Sequence, residues 1–466
     1  MTDSLTLVEP RFVPPLDQGF RPAVLANRAF RREVADSGRA VPLVFGLERP
    51  DGSLSRFETA LFPEDHPRAA ASLVYAERLL KFLLWQKGAH KVYVGGPAAV
   101  GEYIGSCYAP GGARAFDYHF LGEEVYERPF TVLSCAAAEV PRERENERAL
   151  GRHLDGYRIG FDLGASDLKV SAVVEGRAIF SAELEWEPRS QTDPRYHRDK
   201  VMAALKLAAS MLPRVDAVGG SSAGIYVDSR PMVASLFRSI PRERYGEVRE
   251  MFLRIREELG VPLEVVNDGE VTALAGSMAL GDNGVLGIAL GSSEAGGYVT
   301  LGGKITSWLN ELAFAPIDYS PDAPVEEWSA DRGCGASYFS QQCVFRLAPK
   351  AGIRIPAGLS DVKKLRFVQE MLEAGHAGAV QIWQSMGYVM GYGIAHYADF
   401  YPLKHVLILG RCTSGRGGDL ILSGASEVLQ AEFPELASRI CIRLPDEKIR
   451  LVGQAIAAAS LPSLDR

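Results

Sequence analysis

A tight bend of acid, glycine and hydroxyl, set between two alternating strands and met twice, constrains this chain more than any other feature. From Tyr157 the string YRIGFDLGASDLKVSAVVEGRAIFSAEL alternates apolar with other residues, bends at Asp162-Leu163-Gly164-Ala165-Ser166 and turns again at Glu175-Gly176. That pattern predicts consecutive antiparallel strands. VLGIALG then leads into Gly291-Ser292-Ser293-Glu294-Ala295-Gly296-Gly297 and YVTLGGKI, a second hairpin of the same kind. Glycine lets backbone approach an anion, hydroxyls and amides donate to it, and a carboxylate such as Asp162 can hold a hydrated Mg²⁺. A surface turn that uses Asp and Gly for turn chemistry alone explains either bend singly. Two such bends in two lobes can grip a phosphate chain from both sides.

Between and after the bends lie segments that deliver polar groups to strand ends. A helix is expected over 199–212, a strand ending in small residues at DAVGGSSAGIYV, and a polar helix near 242–259. PLEVVNDGE brings Asn267 and Asp268 to a strand's carboxyl end, just before the close-packed TALAGSMAL. A carboxylate there can act as general base toward a hydroxyl, although capping the next helix is the competing role. KHVLILGRCTSGRGGDLIL supplies a strand, glycines and a helix, against whose backbone an adenosine moiety could rest.

A length of 466 residues suggests about three units, and 47% hydrophobic with 23% charged residues excludes disordered and coiled-coil classes. Lys and Arg number 51 against 58 Asp and Glu, and no long basic run follows, so nucleic acid is not an expected partner. Neither a signal sequence nor an apolar run long enough for a membrane span stands out, which points to a cytoplasmic chain without membrane contact. Six scattered cysteines without CxxC spacing read as buried thiols rather than a disulfide framework.

Residues 1–150 read as a separate α+β domain of unassigned role. It comprises a Pro- and Arg-rich arm over the first forty residues, a hairpin around Pro50-Asp51-Gly52, a helix from Ala69 to Lys87, the strand KVYVGG and alternating strands up to about 135. The charge-dense stretch 141–156 reads as a linker or a solvated helix. In AVQIWQSMGYVMGYGIAHYADFY, Gly387 and Gly391 mark close helix packing, and His396 and Tyr397 are expected to be satisfied interior groups.

Five segments, in order, resemble the ROK family of bacterial sugar kinases and sugar-responsive regulators, within the actin, Hsp70 and hexokinase superfamily. They are DLGASDLKVSAV, VVNDGEVTALAGSMALG, LGSSEAGGYVTLGGKI, LILGRCTSGRGGDLIL and EKIRLVGQAIAAASL. The resemblance covers about 157–466. It implies an α/β, two-lobed actin-like ATPase fold with ribonuclease H-like lobes, added to the amino-terminal α+β domain. Lobe I would be 151–275 plus 445–466, and lobe II 276–444. It also implies ATP and Mg²⁺ as cofactors, a small-molecule sugar as substrate and a possible homodimer. Asp268 would take the proton from a sugar hydroxyl attacking the γ-phosphorus, with Asn267, Glu311 and Gly224 on the sugar. Asp162 would anchor the metal's water shell, Gly164, Ser166, Gly291, Ser292 and Ser293 would line the phosphates, and Gly410 and Gly415 the adenosine. Lys169 joins the phosphate set, although strand alternation would turn it outward.

Three departures from the family pattern favour the competing reading, a noncatalytic sugar or nucleotide sensor on the same fold. Glu294 stands in a loop where kinases carry glycine-threonine-glycine. A carboxylate about 5 Å from a phosphate charge costs on the order of 3 kcal/mol at an effective dielectric near 20. Glu294 must therefore point away, bind a cation or weaken ATP, and Asp167 raises the same question at the first bend. In the run Glu311-Leu312-Ala313-Phe314 a phenylalanine replaces the family's histidine, which implies a more apolar pocket and a ligand other than an ordinary hexose. Cys334 and Cys343 have no neighbouring histidine, so no structural zinc site is expected.

Overall fold

The strands Val41–Glu48 and Leu54–Leu61 pair residue for residue across the Pro50-Asp51-Gly52 turn, as the sequence predicts. This computed structural model describes residues 4–145, 147–148, 150–164 and 167–464. The chain forms two units: Met1–Asn146, Ile288–Gly296 and Trp308–Leu444 make the first, and Glu147–Gly287, Gly297–Ser307 and Pro445–Arg466 the second. Residues 1–146 thus share a unit with 308–444.

In the first unit a four-stranded sheet runs Leu54–Leu61, Val41–Glu48, Lys91–Gly95, Thr131–Cys135, the last pair parallel. The helix Ala69–Lys87 has the bounds expected and is buried on most of its surface. A helix buried on most of its faces needs packing on several sides. Phe30 stacks on Tyr75 at 4.2 Å, while Phe400 and Phe314 meet Phe82 and Trp85 at 4.0 and 4.3 Å. The amino-terminal arm docks within this unit. Its Phe12 and Leu16 amides donate to the Tyr392 and Ser385 hydroxyls, and Phe20 is buried between Tyr338 and Tyr392. Gly387 and Gly391 do serve close packing: a Cβ on either would come within 2.8 Å of the Arg416–Glu432 helix.

Of the stretch 141–156, residues 141–145 are no solvated helix, and the division between the two units falls just after them. Arg144 exchanges backbone hydrogen bonds with Leu54, and Glu145 binds the buried Arg49 guanidinium at 2.7 Å. A second buried pair ties the Ala69–Lys87 helix to Ala115–His119. Lys81 Nζ lies 2.8 and 3.0 Å from the two Asp117 oxygens, both side chains being 1% exposed, and the Trp85 indole donates to the same carboxylate. Removing one member leaves a buried charge unpaired. Lys81→Met is expected to cost about 3 kcal/mol in urea unfolding, and Lys81→Met with Asp117→Asn to recover part of that loss; equal stabilities for wild type and the single variant would contradict it.

The second unit is built on a five-stranded sheet in the order Leu263–Asn267, Ala217–Ser222, Tyr157–Leu163, Asp167–Val174, Arg177–Glu185. Its first three strands are parallel and the last two join antiparallel, giving the double hairpin that the alternation predicts. One face packs Phe161, Val170, Leu205, Phe252 and Val265 into a core. On the sheet, Gly160 and Gly219 admit the Glu447–Ala459 helix so closely that a Cβ on either would lie 1.7 Å from a backbone oxygen, of Ala455 or Ala458. The architecture is a mixed α/β fold. Among the described residues no helix is long and apolar enough to cross a membrane.

Candidate functional site

In the second unit the parallel strands end together and place two acids and an amide. Asp162 stands opposite Ser221 on one neighbour and Lys169 on the other. Its Oδ1 accepts the Ser221 hydroxyl at 2.6 Å, and burial holds its pKa above the usual carboxylate value against that bond. Asp268 is the first residue of the Asp268–Leu280 helix. Burial, and then the charge of Asp162, push its pKa up to about 6. The capping role that competed for Asp268 falls on Asn267, whose Oδ1 accepts the Gly269 amide at 2.7 Å. Asn267 Nδ2 donates to the Gly224 carbonyl at 2.7 Å. Gly224 needs its glycine, since at φ +123° a Cβ would lie 2.5 Å from that of Ala234. Asn267 and Gly224 thus come together and orient each other and the helix start.

The first bend is closed by its own backbone. The Gly164 amide donates to the Asp167 carbonyl at 2.9 Å, and its carbonyl accepts the Trp186 indole at 2.9 Å. Ser166, assigned to phosphate from the sequence, lies outside the described residues. Asp167 pairs with Lys169 at 3.7 Å, and Lys169 is half exposed, as strand alternation implies. Lys169 nevertheless shares with Asp162 a cavity of about 490 Å³, also walled by Ser171, Ser181 and Gln454.

In the first unit the second bend presents Ser292 and Ser293 to solvent. The Gly291 amide is spent on the Ser293 carbonyl, and its own carbonyl accepts from Gln341. Glu294 turns inward. It is 2% exposed, its Oε1 accepts the Tyr397 hydroxyl at 2.9 Å, and Oε2 lies against Gly335, where a Cβ would sit 2.0 Å away. Burial, then the charge of Glu311, push it up to about 8. Of the three outcomes open to Glu294, pointing away is the one found.

The candidate sugar segment is held by the Ala69–Lys87 helix. The Asn310 and Glu311 amides donate to the Gln86 and Trp85 carbonyls, both at 2.9 Å, and Asn310 Oδ1 accepts the Tyr401 hydroxyl. Phe314, 9% exposed, packs among Trp85, Phe116 and Phe120, so its ring extends an aromatic core shared with the amino-terminal segment. The two adenosine glycines carry backbone roles. A Cβ on Gly410, at φ +102°, would strike the Leu290 backbone at 2.5 Å, and Gly415 precedes a helix whose first amide, of Arg416, donates to Glu373.

His396 is interior, held near pKa 4 chiefly by burial, with its ring edge-on to Phe82 and Phe400. Tyr397 does more than fill space, because among the described residues it is the one hydrogen-bond donor to the Glu294 carboxyl. Neither that pairing nor the clamp by Trp85 and Gln86 leaves a mark in the sequence, since each joins positions far apart. All six cysteines are free, and among the described residues no three of His, Cys, Asp or Glu group as a metal site.

No family model and no curated protein matches the chain. Solved structures do. A ROK family transcriptional regulator, described as a homologue of the E. coli MLC protein, aligns at a TM-score of 0.53 with 16% identity, over 78% of this chain and 88% of its own. A ROK family glucokinase from Streptomyces griseus, in complex with glucose and AMPPNP, gives 0.49 and 22% over 65% of this chain and 99% of its own. A ROK hexokinase from Thermus thermophilus gives 0.49 and 17% over 65% and 98%. The chain has the actin-like α/β fold of the ROK proteins.

Proposed function

We propose that the protein transfers a phosphoryl group from ATP to a hydroxyl of a sugar or sugar derivative, with Asp268 as general base. The observation that carries this reading is the state of Asp268: a half-buried carboxylate at a strand's carboxyl end, with no cation bonded to it among the described residues and a pKa pushed up to about 6 by desolvation. A base poised near neutrality is ionised at pH 7 yet retains affinity for a proton. Asn267 keeps it in place through the helix cap.

The residues present fit a hydrated divalent cation. Asp162 has one oxygen on Ser221 and feels the like charge of Asp167, and Asp268 feels that of Asp162 in turn. A hard cation that keeps most of its waters and uses one or two carboxylates suits such a set. When bound, Mg²⁺ would neutralise charge on the phosphates. Ser292 and Ser293 would donate to phosphate, Ser166 would do so at the first bend, and Lys169 would supply charge. Glu311 would accept from a sugar hydroxyl, its backbone fixed by Trp85. Glu294 is protonated near neutral pH and adds no charge there, so it presents no electrostatic bar to ATP.

One observation favours the sensor reading. The amides of Gly164 and Gly291 are occupied by the bends themselves, and the Arg416 amide by Glu373, which leaves fewer backbone donors for phosphate. The two readings separate when the protein is assayed for ADP release with Mg²⁺, ATP and a panel of sugars and amino sugars. Release stimulated by at least one sugar supports the kinase. No stimulation by any sugar, with a rise in Tm on adding ATP or a sugar, supports the sensor.

A further inference from the structure

The geometry points to the strand Thr131–Cys135 as the seam of a two-fold homodimer, in which it pairs antiparallel with the same strand of a second copy of this chain. The strand is the last of its four-stranded sheet and is bonded on one side only, parallel to Lys91–Gly95. Its Thr131 amide donates to the His90 carbonyl at 2.9 Å, and its Cys135 carbonyl accepts the Gly96 amide at 3.1 Å. Thr131, Leu133 and Cys135 therefore turn their backbone groups into the sheet. In a parallel ladder the residues between them, Val132 and Ser134, turn theirs out.

The open edge has defined ends. Ala136 would be the next residue to face outward, but its amide is taken by Glu139 Oε2 at 2.8 Å. At the other end Phe130 is 4% exposed. The free groups are thus those of Val132 and Ser134, set evenly about Leu133, whose side chain is 42% exposed. Such an edge matches itself under a two-fold rotation. With Leu133 opposite Leu133 of the second copy, Val132 of each strand faces Ser134 of the other, and the two exchange N–H and C=O bonds. Leu133 then falls at the non-hydrogen-bonded position, where Cα atoms approach to about 4.5 Å and the side chains touch.

Charge selects the second copy as the occupant. Open edges template the addition of a strand, and folded proteins blunt them with charged side chains. Among the described residues the other edge strands of comparable length do so. Leu54–Leu61 carries Arg56 and Glu58, Arg177–Glu185 carries Arg177, Glu183 and Glu185, and Leu263–Asn267 carries Glu264. From Phe130 to Ala138 there is no charge at all. A neutral strand has nothing with which to select a charged partner and nothing to repel its own copy. The strand lies before the segments that resemble the sugar kinases, so none of this depends on the kinase reading.

A seam of this length belongs with small, reversible interfaces, and micromolar association is expected. Sedimentation velocity on the whole protein from about 1 to 100 µM should follow the wild type from monomer to dimer. Leu133→Lys and Leu133→Glu each set like charges opposite one another across the axis, and each should weaken association by at least about tenfold. Mixed in equal amounts, the two variants should associate about tenfold more tightly than either alone, because this register brings position 133 onto itself. A wild type that stays monomeric at about 100 µM would assign the edge to a strand of another protein and overturn the proposal. So would either variant dimerising as the wild type does, or a mixture that associates no better than its components.

Discussion

Asp268→Asn is expected to lower sugar-stimulated ADP release by about 10²–10⁴-fold, the range a general base contributes. The substitution is nearly isosteric. Its carbonyl oxygen can still accept the Gly269 amide, which lies 3.0 Å from Asp268 Oδ1, and the helix cap belongs to Asn267. Affinity for ATP should hardly change. The variant should also be more stable than wild type at pH 7, since Asp268 is ionised there against a raised pKa and Asn carries no charge to bury. A fall in rate with a rise in stability cannot come from misfolding. In the wild type, kcat/KM should rise with pH through about 6 and then level, as the base loses its proton. Residual activity within tenfold of wild type would remove Asp268 from the chemistry.

The bends and Asp268 were legible because their signals are local. Strand alternation broken by glycine needs no knowledge of the rest of the chain, although the bend expected over Asp162 to Ser166 begins later, since Asp162 and Leu163 still pair with Lys169 and Leu168. Helix Ala69–Lys87 was legible for the same reason, with Gly88 ending it. A helix start was missed at Pro194, although Asp193 as cap followed by Pro is a local signal; the structure begins that helix five residues before the expected 199. The polar helix near 242–259 is broken at Glu250 into Tyr245–Arg249 and Met251–Leu259. What sequence could not reveal is set by distant partners. Whether Glu294 faces phosphate or core depends on Tyr397, and Phe314 finds its place against Trp85. The first forty residues, rich in Pro and Arg with weak periodicity, suggest an extended arm, yet Ala23–Asp36 is a helix with Phe30 and Val34 buried, and the segment before it docks through Phe20 and through backbone amides that pattern analysis does not weigh.

Glu294→Gln should remove a fall in stability that the wild type shows between pH 4.5 and 8. The fold raises the Glu294 pKa from an ordinary 4.5 up to about 8, so the folded state keeps a proton that the unfolded chain has already released within that window. Stability falls with pH wherever the folded state binds more protons. The loss begins near the unfolded pKa, accumulates to about 4 kcal/mol by pH 8 and levels off about one pH unit higher. Glutamine cannot ionise, and its carbonyl oxygen can take the Tyr397 hydroxyl in place of Oε1. Urea unfolding of both proteins from pH 5 to 9 isolates this group, because Asp318, raised to about 6, and Lys87, lowered to about 7, contribute equally to the two curves. Parallel curves would mean that Glu294 is ionised in the folded state. The same proton bears on function, since Glu294 follows Ser292 and Ser293 directly. Kept neutral at pH 7 and turned into the core, it adds no charge behind the two serines that would face a bound phosphate. ATP affinity should therefore weaken above pH 8 in the wild type and hold steady in Glu294→Gln.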